Sequence, residues 1–162
     1  MTTLSALRFS AVDGAQRLES TLLNLKAQQI ITVYEAALVT WPPGNAHPET
    51  RELDALSGPG ALHGAFWGMV FDLIFYAPSV KVADNATAVA HAGRLAEFGI
   101  DEHFIQLMRD KVTEGTSALF LLTRGAVMDK VADAVESMDF EIISTNLTPY
   151  REAELRAAFG TE

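Results

Sequence analysis

Residues 57–78 read SGPGALHGAFWGMVFDLIFYAP, the most one-sided composition in the chain. Gly60, Gly64 and Gly68 recur at every fourth position. On a helix they fall along one ridge and leave it nearly bare, a surface that another helix can approach closely. The remaining faces carry Leu62, Phe66, Trp67, Met69, Val70, Phe71, Leu73, Ile74, Phe75 and Tyr76. Whether this segment crosses a membrane or is buried in protein decides the fold. Its apolar part, residues 61–77, only reaches the lower limit of roughly 17 residues for a span, and it contains His63 and Asp72. An ionised Asp near the centre of a lone span costs about 2.5–3.5 kcal/mol. The segment therefore reads as a helix buried against protein, started by Ser57-Gly58-Pro59 and stopped by Pro78.

Working downstream, residues 80–98 read as a second helix of different character. Ala83, Ala86, Ala90 and Gly93 make a small-residue face, while Lys81, Asp84, Asn85, His91, Arg94 and Glu97 are too polar for lipid. The bare ridge against the alanine face gives a close-packed helical hairpin. Gly99 ends that helix, and Asp101 caps a third one, with Ile100 and Ile105 in hydrophobic-staple positions and Phe104, Ile105, Met108 and Val112 as its apolar stripe. After Glu114-Gly115, SALFLLT (residues 117–123) is a strand apolar enough to be central. Residues 126–138 form an amphipathic helix with Val127, Val131, Val135 and Met138 inward, and residues 141–147 a last strand. Thr148-Pro149 opens a tail helix with Leu155 and Phe159 as its apolar contacts.

Upstream of the glycine ridge, residues 4–10 (LSALRFS) read as a first strand. A helix then runs from Asp13-Gly14 to about Gln29, with Leu18, Leu22 and Leu25 as its stripe. IITVYEAALVTW (residues 30–41) reads as a second strand, stopped by Pro42-Pro43-Gly44, and a short strand is expected near residues 50–53. Without the middle, the order is strand–helix–strand twice over. The expected architecture is a single α+β domain with a ferredoxin-like split βαβ body from residues 1–48 and 117–147. A helical insertion at 49–116, comprising the glycine-rich hairpin and a third helix, and a C-terminal helix at 148–162 complete it.

The bulk composition excludes several function classes. A net charge of −9 over 162 residues argues against a nucleic-acid footprint and against attraction to anionic lipid. There is no cysteine, hence no disulfide framework, thiolate nucleophile or cysteine-held metal. The first nine residues have neither a basic start nor a long apolar run, so no signal peptide is expected and a cytoplasmic location is. The four histidines, His47, His63, His91 and His103, show no HxH, HxxH or HExxH spacing, and no metal site is expected. No serine or threonine sits in a nucleophile elbow, and Gly58-Pro59-Gly60 lacks the Lys-Ser/Thr pair of a phosphate loop. No catalytic residue and no cofactor are expected. Asp13, Asp101 and Glu102 are accounted for by helix starts, where negative charge meets the helix dipole.

Asp72 lies twelve residues after Gly60 and so projects close to the glycine ridge. A buried carboxylate needs a partner, and Lys81, His91 or Arg94 of the second arm are the candidates. An ion pair within the hairpin or between subunits is one reading, a polar anchor in a ligand pocket a second, and a lipid-facing charge the third.

The runs GPGALHGAFWGMVFDLIFYAP, GIDEHFIQLMRDKVTEGTSALFLLTR and IISTNLT together resemble the bacterial family known as domain of unknown function 1269. The resemblance covers most of the chain. It implies no activity and no catalytic residue. Members are often labelled predicted membrane proteins on the strength of a hairpin with two apolar arms, whereas here the second arm carries Lys81, Asp84, Arg94 and Glu97.

The leading expectation is a non-enzymatic, self-associating protein with the hairpin as its homo-oligomer interface, formed by Gly60, Gly64, Gly68, Phe66, Trp67, Phe71, Asp72 and Phe75. So many aromatics exceed what a single hairpin buries unaided, and an apolar patch of that kind marks an association site. One alternative is a peripheral protein laying the hairpin on a membrane surface, with Trp67 and Tyr76 near the two ends of the apolar run. Another is a sensor or enzyme that takes a small hydrophobic ligand.

Overall fold

SALFLLTR, Ser117–Arg124, is the middle strand of the sheet on which the molecule is built. The computed structural model describes residues 2–31, 33–53, 64–76, 100, 102–124 and 140–147, together with Ala96, Lys130, Val131 and Asp133. In chain order the strands are β1 (Thr2–Phe9), β2 (Glu35–Thr40), β3 (Glu49–Glu52), β4 (Ser117–Arg124) and β5 (Phe140–Leu147). They form one five-stranded sheet in the order β3-β2-β4-β1-β5, every neighbouring pair antiparallel. Among the described residues the helices given in full are α1 (Gly14–Ala27), α2 (Gly64–Phe71) and α3 (Glu102–Lys111), and α2 runs on into a π-helical turn, Asp72–Tyr76. The fold is α+β.

The strand side chains alternate between two covered faces, which is why β4 is apolar at nearly every position. Leu4, Ala6, Ala37, Val39, Ala118, Phe120 and Leu122 point to a core shared with Phe66, Trp67, Val70 and Leu73 from α2 and its turn, and with Phe104, Ile105 and Met108 from α3. Leu7, Phe9, Ala36, Leu38, Leu119 and Leu121 point to a second core, filled by Ala15, Leu18 and Leu22 of α1 and by Val131. Ile100 and Ile105, the expected staple of α3, are both buried.

Gly14 fixes how closely α1 meets the sheet. A Cβ there would sit 2.5 Å from the Phe9 Cβ and 2.7 Å from its Cγ. The same corner is tied by Ser117, whose Oγ donates to the Ala11 carbonyl at 2.7 Å and accepts from the Ala15 N–H at 3.0 Å. Asp13, expected to cap α1, makes no side-chain cap bond. It accepts instead from Arg17 at 2.8 and 3.1 Å, and those bonds hold its carboxyl below the usual carboxylate range.

Three expectations are corrected. The strand expected over residues 30–41 begins only at Glu35. α1 ends at Ala27, and the chain reverses through Gln29, whose φ is +61°. The Gln29 N–H donates to the Lys26 carbonyl and the Ile30 N–H to the Leu25 carbonyl, a Schellman closure with Gln where Gly is usual. Ile31 and Val33 are buried all the same, so the apolar pattern was right about burial and silent about the turn. Next, the short strand expected near residues 50–53 is β3, but it belongs to the sheet, pairing with β2 from Thr40↔Glu49 to Ala37↔Glu52, so the stretch expected as a helical insertion from residue 49 opens on a strand. Its sequence ETRE, exposed throughout, suits an edge strand, where charge discourages further pairing. Lastly, the glycine-ridged helix is interrupted, because at Asp72 the α-helical pattern loosens into the π-helical turn. The expected helix at 80–98, the tail helix at 148–162 and most of the helix at 126–138 lie outside the described residues.

Candidate functional site

α2 is apolar almost all round, and its placement is set by which side chains the sheet can receive. Phe66, Trp67, Val70 and Leu73 are almost completely buried against it, and Phe71 nearly so. The Trp67 ring stacks on Phe71 at 5.6 Å and 21° and meets Phe120 of β4 edge-on at 6.2 Å. Phe71 meets Phe120 edge-on at 5.2 Å, and Phe75, half-buried, carries the chain of rings on to Trp41. Aromatic pairs in these geometries add about 0.5–1.5 kcal/mol each beyond their area. The aromatic surplus that suggested an outward interface is therefore largely absorbed by this chain's own sheet, because the sheet offers α2 a face of small residues (Ala6, Ala37, Ala118) around Phe120.

Trp67 is held by its polar end as well. Its Nε1–H donates to Glu35 Oε1 at 3.1 Å. Glu35 opens β2 on the α2 side of the sheet and is only 2% exposed. A buried carboxylate in an apolar core requires such partners.

What α2 leaves outward is the line from Gly68 to Asp72. Gly68 is exposed, and a Cβ built on it meets nothing within 4 Å among the described residues. One turn on, Asp72 is half-buried at the start of the π-helical turn. Together with edge strand β3 this side of α2 encloses an open cleft of about 450 Å3, lined by Thr50, Arg51, Glu52, Trp67, Gly68, Phe71 and Asp72. Thr50 and Glu52 share the sheet face that α2 covers, opposite Val39 and Ala37. Arg51 alternates to the other face, where it reaches Glu19 of α1 at 2.9 Å.

Behind the turn, Arg109 of α3 donates from Nε to the Leu73 carbonyl at 2.7 Å. A carbonyl near a helix end needs such a donor, since the regular ladder no longer supplies one. Burial lowers the Arg109 pKa, and the nearby charges of Asp72 and Glu102 work against that shift. Asp72 was expected to look to Lys81, His91 or Arg94; those residues lie outside the described set, and within it Arg109 is close enough to feel the charge of Asp72.

Of the expected interface residues, Gly60 is outside the described residues and Gly64 opens α2. Phe66, Trp67 and Phe71 lie in the core, Phe75 at its border, and Gly68 and Asp72 in the cleft. His63 and His91 are undescribed, while His47 and His103 are exposed and far apart in sequence. Among the described residues no three His, Asp or Glu side chains come together as a metal-ligand set. Also among them, no helix is long and apolar enough to cross a membrane.

Residues 61–160, from just before α2 through β5, match the model of a family described as protein of unknown function (DUF1269). The chain belongs to the DUF1269 family. No curated protein and no solved structure matches it. Within this DUF1269 protein, the helical wall of the cleft, Gly68 and Asp72 included, falls inside the family region, together with Arg109. The strand wall, Thr50 to Glu52, and Glu35 precede it.

Glu35, Glu52 and Arg109 were not singled out from the sequence. Glu35 had a signal: a lone carboxylate inside VYEAALV, where every neighbour suits a buried strand. Glu52 and Arg109 had none, since a charge on an edge strand or on an amphipathic helix is ordinary.

Proposed function

We propose that this chain is a non-enzymatic, cytoplasmic, self-associating protein that uses the outer side of α2 as its homo-oligomer contact. The strand order β2-β4-β1-β5 supports reading the body as a ferredoxin-like split βαβ unit, with β3 added at one edge.

The observation that carries this reading is Gly68. Glycine inside a helix is less stable than alanine by roughly 0.5–1 kcal/mol, and here a methyl group would fit without touching anything. The packing of the described residues thus gives no reason for glycine at this position. A helix backbone approaching from outside would. Trp67, one of the two rings that would flank a membrane-surface anchor, is turned inward at 1% exposed, which leaves the lipid reading with less support than a protein partner. Sedimentation velocity at micromolar concentration tests the proposal: a stable oligomer is expected, and a shift to monomer on Gly68→Leu. A wild-type monomer, or an oligomer indifferent to that substitution, refutes it.

A second reading, a small-ligand-binding protein, is supported by the cleft between α2 and β3. Its volume of about 450 Å3 falls within the range of small-molecule sites. A thermal-shift panel of charged and neutral small molecules tests this reading, with a uniformly flat response counting against it.

A further inference from the structure

We propose that β5 pairs along its outer edge with β5 of a second copy of this chain, antiparallel about a two-fold axis, so that two sheets join into one. This contact lies at the opposite edge of the sheet from β3 and is separate from the α2 contact proposed above.

The two edges of the sheet are built differently. β3 is four residues long, and its sequence ETRE is charged at every position but one. Such a strand discourages pairing with a further one. β5 has eight residues, FEIISTNL, and pairs with β1 along its whole length, from Phe9↔Phe140 to Thr2↔Leu147, with no break in register. A strand held so regularly presents the N–H and C=O of alternate residues in a row on its outer side. Among the described residues no strand lies beyond it. It contains neither proline nor lysine, and its one charge, Glu141, meets Lys111 of α3 at 3.2 Å. On the α1 face of the same strand, Ile142 is 38% exposed.

The sequence of β5 suits its own copy. A row of backbone donors and acceptors is matched by an extended strand, which sets the kind of partner. Two copies of β5 related by a two-fold axis perpendicular to the sheet run antiparallel and keep each face of the sheet continuous. With the axis at Ile143 or Ser144, Glu141 of one copy lies opposite Thr145 or Leu147 of the other, so no like charges face each other across the pair. In the same two registers Ile142 lies opposite Ser144 or Asn146, and the added strand shelters its exposed side. The chain carries a net charge of −9, and residues 142–147 are uncharged. Two acidic chains therefore approach with least repulsion along this edge.

Sedimentation equilibrium of Gly68→Leu from about 10 µM to about 1 mM tests the pairing, a substitution chosen to take the α2 contact out of the measurement. Monomer should give way to dimer with a Kd on the order of 0.1–1 mM, as suits an interface smaller than about 1,200 Å2. Adding Ile142→Lys, a residue type that suits strand edges, should weaken dimerisation at least about fivefold with circular dichroism unchanged. Amide exchange in the same samples should slow with concentration at alternate residues of β5 in Gly68→Leu, and not in the double variant. A monomer at about 1 mM overturns the proposal. So does a dimer indifferent to Ile142→Lys whose β5 amides exchange as fast as the monomer's. Outer β5 amides protected equally at both ends of the concentration range mean that the edge is covered within one chain, and overturn it as well.

Discussion

α1 and α2 lie on opposite faces of one sheet, and each has a glycine for which the sheet gives a different reason. At Gly14 the backbone of α1 is pressed against Phe9, and a single added carbon would overlap it. At Gly68 the backbone of α2 is exposed, and an added carbon would touch nothing among the described residues. α1 docks through its glycine; α2 docks through Trp67 and Phe66 and turns its glycine away. The first glycine is explained by the fold, whereas the second needs an explanation from outside it, which is where the association and cleft proposals begin.

The contrast can be broken in order of effect. Gly14→Ala should lose about 2–3 kcal/mol in urea unfolding, since Phe9 Cβ cannot move without shifting β1; a loss under about 0.5 kcal/mol would mean that α1 slides freely on the sheet. On the other helix, Trp67→Phe keeps a ring but removes the donor to Glu35, and it should lose about 2 kcal/mol from cavity and orphaned carboxylate together. If that variant unfolds at the same denaturant concentration as wild type, the Trp67–Glu35 bond does not anchor α2. Gly68→Ala should act in the opposite direction to Gly14→Ala and raise stability by about 0.5–1 kcal/mol when measured below any association threshold. A clear loss there would show that the surface of α2 is occupied within the monomer. The smallest change belongs to the end of α1, where Gln29→Gly relieves a left-handed residue and should add roughly 0.5 kcal/mol, read from the thermal midpoint.

The sequence was most legible where one periodicity had one cause. β4 announced itself because both faces of SALFLLT are buried, and α3 because Phe104, Ile105 and Met108 mark a single face. It was least legible where two causes share a pattern. Ile31 and Val33 alternate as a strand does, yet Ile31 lies in no strand and Val33 in a single bridge ahead of β2, and burial without backbone geometry looks the same in either state. The aromatic run of α2 raised the same ambiguity on a larger scale: Phe66, Trp67 and Phe71 read equally well as interface or as core until the sheet face beneath them was known. The line of Gly68 and Asp72 was visible from the four-residue spacing, and both do line the cleft. The opposite wall was not visible, because Thr50 and Glu52 reach α2 only through the pairing of β3 with β2, a contact that no local pattern encodes.

The position of β1 between β4 and β5 bears on how the chain is made. Phe9 pairs with both Ser117 and Phe140, so β1 has its two neighbours more than a hundred residues further along the chain. At ribosomal rates of roughly 5–20 residues per second, β1 waits on the order of 5–20 s before β4 has been polymerised. During that interval Leu4, Ala6, Leu7 and Phe9 lack the strands that will flank them, and only helices that pack on the faces of the sheet, α1 first and α2 later, are at hand to shelter them. Nascent copies of this protein should accordingly engage chaperones early and release them only when the C-terminal strands emerge.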